Sequence, residues 1–214
     1  MKVLELFAGS RSIGRAAEQM GHTVFSVDWE PYEGINLAID IEELTAEQVP
    51  FIPDAVWMSP DCTTYTIAAI STHRNGTEPK SEYAKKCDRV NQHALSLLRY
   101  WLSINPNLKF FIENPRGMLR KMPFMTGLPR ATVWYCKYGD DRAKPTDIWS
   151  NNLYSIFNDT GWQPRPECYN GNKKCHHEAA PRGSATGTQG KKGHYERSRI
   201  PEQLCIEVLN SCNL

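Results

Sequence analysis

Short apolar runs at residues 2–7 (KVLELF), 23–27 (TVFSV) and 54–58 (DAVWM) are bounded by turn-forming residues, the pattern of buried strands. Between the first two, Ala-Gly-Ser leads into a helix-compatible stretch over 12–20 that Gly21 closes. Strand, glycine turn, helix and strand in that order build a parallel sheet. A long helix is expected over 81–105, where Tyr83, Cys87, Val90, Ala94, Leu97, Leu98 and Trp101 recur at helical spacing before Pro106 ends it. Residues 109–112 (KFFI) are mostly apolar and predict a central strand; 131–138 (ATVWYCKY) and 146–149 predict two more across a charged turn. From about residue 161 the periodicity stops, and 161–199 is rich in Gly, Pro, Lys, Arg and His. A closing helix is expected over 201–211, with Leu204, Ile206, Val208 and Leu209.

The pattern predicts an α/β fold with helices on both faces of the sheet, plus a small irregular basic insert. The expected division is a main domain over 1–160, the insert over 161–199, and a closing segment over 200–214 packed on the main domain. A chain of 214 residues with 40% apolar positions can bury a sizeable core. Net charge is only +1, so the basic insert is where an anionic partner is expected. No run reaches the roughly 20 apolar residues of a membrane span, and the apolar start is too short for a secretory signal. Seven cysteines without framework spacing read as reduced thiols, hence a cytoplasmic address, in a bacterial host and compatible with a viral gene. A monomer is expected.

Ligands in such sheets bind at the carboxyl ends of strands, and each unusual cluster lies at one. In the first turn, Gly9 permits a tight corner at a helix N-terminus, although Arg11 and Ser12 replace the further glycines of a dinucleotide motif. Asp28, ending the second run, stands where a carboxylate accepts ribose hydroxyls. Trp29 offers an aromatic face to adenine, and Asp40 an acceptor for its amino group. Taken singly, each is equally a surface acid or a core tryptophan; in this order they describe an adenosine pocket. A phosphate-binding lysine loop is missing from the sequence, which favours S-adenosylmethionine over ATP.

LFAG at 6–9, the acid at 28, Asp40-Ile41, SPDC at 59–62 and ENP at 113–115 form an ordered series over about residues 2–150. It resembles the DNA cytosine-5 methyltransferases, in particular the compact versions of phages and prophages. The tail (CHHEAAPRGSATGTQG and ERSRIPEQL) resembles the ends of those proteins more loosely. The resemblance implies a Rossmann-like S-adenosylmethionine-dependent methyltransferase sheet, with Phe7, Ala8, Gly9, Ser10, Asp28, Trp29, Asp40, Ile41 and Pro60 at the cofactor. It implies DNA as the partner and carbon 5 of a flipped-out cytosine as the methyl acceptor. Cys62 is then the nucleophile adding to carbon 6, and Glu113 the group donating to ring nitrogen 3. Arg142 and Lys144, at the spacing of the family's arginine set, would steady the base oxygen or a phosphate; the plain alternative is a solvated hairpin turn. Pro115 replaces the small apolar residue usual after Glu-Asn, and Asp61 replaces a proline before the cysteine. Asp61 should raise the thiol pKa unless it turns away or pairs with a cation.

Thr64, Tyr65 and the loop over 67–79 are candidates for closing over the base. Lys173, Lys174, Arg182, Lys191, Lys192 and Arg197, with Arg199, are candidates for DNA phosphates. Cys168, Cys175, His176 and His177 supply four ligands for a structural zinc, at a spacing that matches no common finger. Three other functions compete: an amino-group DNA methyltransferase, since SPDC distantly resembles its [DNS]-P-P-aromatic motif; a catalytically inactive DNA-binding decoy; and methylation of tRNA cytosine.

Overall fold

The computed structural model describes residues 1–155, 160–178 and 194–212. In chain order the elements are β1 (Lys2–Leu6), α1 (Ser12–Gln19), β2 (Thr23–Asp28), β3 (Leu37–Ala38), β4 (Ala55–Met58), α2 (Ile70–His73), β5 (Arg74–Asn75), β6 (Glu78–Pro79), α3 (Glu82–Ile104), β7 (Lys109–Pro115), β8 (Arg130–Trp134), β9 (Pro145–Ser150), α4 (His194–Ser198) and α5 (Glu202–Ser211). Seven strands form one sheet in the order β3-β2-β1-β4-β7-β9-β8. From β3 to β7 neighbours run parallel; β9 is antiparallel to β7, and β8 to β9.

Side-chain alternation along the central strands sorts the core into two layers. Leu4, Leu6, Val56, Met58, Phe110 and Ile112 face α3, where they meet Leu95, Leu98 and Trp101. Val3, Ala55, Trp57 and Phe111 face the other way, toward Ile13 and Ala17 of α1 and Leu204, Val208 and Leu209 of α5. Ser81 caps α3 by accepting the Ala84 N–H. The expected parallel core and both long helices therefore form, with helices on both faces.

Two expectations change. The run 131–138 is a strand only as far as Trp134; Tyr135–Tyr138 coils into a 3₁₀ turn that ends at Gly139, whose φ of 86° closes it. Residues 67–79 are not a plain loop: α2 and the β5–β6 hairpin lie there, organised around buried Arg74.

Candidate active site

The carboxyl ends of β1 and β2 meet at the glycine turn. Phe7, Gly9 and Arg11 all take positive φ (55°, 47° and 53°), which lifts the chain off β1 and turns it into α1. A methyl group on Gly9 would come no nearer than 3.8 Å to its surroundings, so glycine answers a conformational demand there. Beneath the turn, Glu5 is buried and accepts the Ile13 N–H (3.1 Å) and the Ser26 hydroxyl (2.9 Å); burial pushes its carboxyl up to about 7. Asp28 closes the corner, accepting the Gly9 N–H at 2.8 Å and the Glu30 N–H at 3.0 Å, and its burial raises its pKa. Each of its oxygens keeps a lone pair for a further donor. Beside this buried acid, the Trp29 side chain is 69% exposed. An open aromatic face next to a carboxylate that can still accept is what an adenosine needs, so the residues present fit S-adenosylmethionine.

The remaining expected cofactor residues divide. Ala8 and Ser10 are buried in the turn, Ser10 within 2.9 Å of the Ser12 hydroxyl. Asp40 accepts the Glu42 N–H and pairs with Lys86 at 2.6 Å, so it mainly shapes its own 3₁₀ turn. Ile41 is core. The tail also reaches this corner, which no local pattern signals: the Ile200 N–H donates to Ser12, and the rings of Tyr195 and Tyr32 lie 5.8 Å apart.

The second cluster lies at the ends of β4, β7 and β9. Asn114 donates to the Pro60 carbonyl at 2.8 Å, pinning the Ser59–Cys62 loop to β7. Glu113, buried, accepts the Tyr135 hydroxyl at 2.8 Å, and the Lys144 ammonium lies 3.9 Å from the same oxygen and 4.6 Å from the Tyr135 ring centre. Cys62 is half-buried; burial pushes its thiol up to about 11, the Lys144 charge opposing this and those of Asp61 and Glu113 adding to it. Asp61 is turned onto its own loop, accepting the Thr63 N–H at 2.6 Å and the Tyr83 hydroxyl. Its expected escape from the thiol is thus by folding away rather than by a cation, and it is incomplete.

Several expected roles change with burial. Thr64 and Tyr65 are completely buried and cannot reach a base. Arg74 explains why: it donates to the Thr64 carbonyl and hydroxyl, stands 4.3 Å from the Tyr65 ring centre and forms a two-pronged pair with Asp88. Tyr65 donates to Asp88 at 2.7 Å and accepts from Asn91 at 2.9 Å. Thr63, Thr66, Ala68 and Ile67, the last at 80% exposure, are instead accessible there. Arg142 is also buried. Its fork grips Asp140, and its other donors reach the carbonyls of Arg197 and Arg199 at 3.0 Å, which makes it a tether for the tail. Lys173 and Lys174 are exposed and Arg197 half-buried; Arg182, Lys191 and Lys192 lie outside the described residues. Exposed Arg116, 5.5 Å from the Trp134 ring centre beside ENP, is a cation that sequence reading passed over.

The metal ligands are also redistributed. His176 is exposed and lies within 3.1 Å of the Asp140 carbonyl. Cys168, Cys175 and His177 converge with Cys136 instead. Among the described residues no helix is long and apolar enough to cross a membrane.

No family model matches the chain. Over 99% of its length it is 27% identical to the probable DNA (cytosine-5)-methyltransferase of Frog virus 3 (isolate Goorha), all of which it spans. The resemblance read from the ordered motifs thus extends over nearly the whole chain. Among solved structures it is similar to a protein designated a DNA modification methyltransferase encoded within an Escherichia coli prophage, with a TM-score of 0.51 and 15% identity over 79% of the chain. A methyltransferase of Entamoeba histolytica gives 0.51 and 14% over 78%. The chain spans 52% and 57% of those two structures, and their likeness establishes the methyltransferase fold.

Proposed function

We propose that this protein methylates carbon 5 of cytosine in DNA, with Cys62 as the nucleophile. The observation that carries this reading is the convergence of Cys62, Glu113 and Lys144 at adjacent strand ends, beside the Gly9–Asp28 corner. Phe7 to Ser10, Asp28 and Trp29 would hold S-adenosylmethionine, which when bound supplies an electrophilic methyl group. Similarity to the Frog virus 3 protein along the whole chain supports the same substrate class.

Carbon 5 of cytosine is a weak nucleophile. Addition of the Cys62 sulfur to carbon 6 breaks the 5,6 double bond and moves its electron pair onto carbon 5, which becomes enamine-like. Glu113, protonated, would donate to ring nitrogen 3 and draw charge away from carbon 6. Lys144 would offset negative charge at the base oxygen. Once carbon 5 is methylated, loss of its proton returns electrons to the ring and expels the sulfur as thiolate. Tyr135 holds the Glu113 carboxyl in place, and Asn114 holds the loop that carries Cys62. The base must leave the stack to reach these groups. Arg116, Lys173, Lys174 and Arg199 are among the exposed cations offered for phosphates.

One observation favours the inactive-decoy reading: a thiol held near 11 is almost entirely protonated at neutral pH. A single experiment separates the two. With S-adenosylmethionine and DNA containing 5-fluorocytosine, the enzyme gives a denaturant-stable adduct that Cys62→Ser abolishes. Methyl transfer to ordinary DNA that survives Cys62→Ser would point to an amino-group enzyme. Binding of cofactor and DNA with neither adduct nor transfer across a sequence-diverse library would favour the decoy, and transfer confined to tRNA would reassign the substrate.

A further inference from the structure

We infer that Cys136, Cys168, Cys175 and His177 form a structural zinc centre that fastens the segment after residue 161 to the hairpin carrying Lys144. The four ligand atoms lie within 4.8 Å of one another, with Cys168 Sγ and His177 Nδ1 3.8 Å apart. A tetrahedral zinc with bonds of about 2.3 Å to sulfur sets its ligand atoms about 3.8 Å apart, so binding needs only a small contraction. Cys136, Cys168 and His177 are buried, Cys175 is half-buried, and all three cysteines are free thiols. Three thiols and an imidazole gathered in a small cluster with Trp134 and Ala143 suit a soft, tetrahedral ion. With all four positions filled by protein, such a centre is closed to substrate and serves structure.

The local chain shows how the set is assembled. Glu178 bridges to Arg142 and donates its N–H to the Asp141 carbonyl at 3.0 Å, which holds the chain after Cys175 against the β8–β9 hairpin. There His177 is buried and joins the cluster, while exposed His176 turns to the Asp140 carbonyl. A turn over Tyr169–Cys175, with Gly171 at φ 80°, returns Cys175 toward Cys168. The Asn172 amide donates to Cys168 Sγ at 3.4 Å, an outer contact that orients a thiolate ligand. The fourth ligand comes from the 3₁₀ turn after β8, where Cys136 directly follows Tyr135, the partner of Glu113. The centre would therefore anchor the wall behind the candidate active site. The inference stands independently of the methyl-transfer reading.

The test is metal analysis of the full chain purified without chelator. About one zinc per chain is expected, released when a mercurial blocks the thiols. The stripped protein should take up Co²⁺ with the thiolate charge-transfer and d–d bands of a tetrahedral site. Cys136→Ser and His177→Ala should lose the metal, His177→Cys should keep it, and His176→Ala should match the parent. Asn172→Ala should weaken binding about 10–100-fold. Should the ligand variants fail to fold, the Co²⁺ spectrum of the parent still decides. Metal-free protein that takes up no Co²⁺, a disulfide between two of these cysteines, or equal loss in His176→Ala would overturn the proposal.

Discussion

The two corners that flank the end of β4 are built by different means. On the β1–β2 side the shape lies in the backbone: positive φ at Phe7, Gly9 and Arg11, with Asp28 and Glu5 accepting main-chain N–H groups. On the β7–β9 side the shape lies in side chains. Glu113, Tyr135 and Lys144 hold one another, Arg142 grips Asp140, and the Arg74–Asp88–Tyr65 cluster shores up the nucleophile loop. A backbone-built corner withstands loss of a distant side chain, whereas a side-chain network fails at whichever member is removed.

The largest effect that could break this comparison is on chemistry. Glu113→Gln keeps the shape but cannot deliver a proton, so single-turnover methyl transfer should fall by about 10²–10⁴-fold. Calorimetric affinity for S-adenosylmethionine should not change, because the cofactor corner does not use Glu113. Parallel loss of both would mean that the two corners are one unit. Arg74→Ala comes next. It leaves Asp88 charged and buried without its partner, which should cost about 3–5 kcal/mol in denaturant unfolding. Lys at 74 should not restore this, since one ammonium cannot replace the fork that reaches Thr64 and both Asp88 oxygens. A loss below about 1 kcal/mol would show that the loop is not supported this way.

The contrast also explains what the sequence made readable. Gly9, Asp28, Cys62 and Glu113 each stand within a few residues of an apolar strand, so the pattern that places the strand places the side chain. Thr64 and Tyr65 look equally well placed, yet their burial depends on Arg74 and Asp88, and no local pattern pairs those two. Arg142 looks like a free cation until Asp140, two residues earlier, turns back to grip it. Cys136 lies 32 positions before Cys168, inside an apolar run that reads as strand, so nothing local sets it beside the ligands at 168–177. The Tyr135–Tyr138 turn was hidden for a related reason: its apolar residues serve a turn whose partners, Glu113 among them, lie in other strands.

Glu5 tests the backbone-built corner through pH. Its folded-state pKa of about 7 lies above the ordinary glutamate value of 4.5. Its stabilising contribution is therefore full below pH 4.5 and is lost as pH rises through about 7, where the folded state must ionise a buried group. Glu5→Gln removes that dependence. The difference in unfolding free energy between variant and parent should shift toward the variant by up to about 3 kcal/mol between pH 4 and pH 8. A pH-independent difference would mean that the Glu5 carboxyl keeps an ordinary pKa in the fold.

The smallest expected effects concern Cys62 itself. Burial is the main cause of its raised pKa, and no single charge substitution undoes burial. Peptide-resolved iodoacetamide labelling should therefore accelerate about tenfold per pH unit between about pH 7 and 10, as the reactive thiolate fraction grows. Lys144→Met removes the charge that lowers the pKa and should slow labelling at fixed pH. Asp61→Asn removes one that raises it and should speed labelling, each by about two- to tenfold. Asp61 already points to Thr63 and Tyr83, so its neutralisation should have the weaker effect of the two. Labelling that is fast at neutral pH and indifferent to Lys144 would mean that Cys62 lies in open solvent, outside the charge network of the β7–β9 corner.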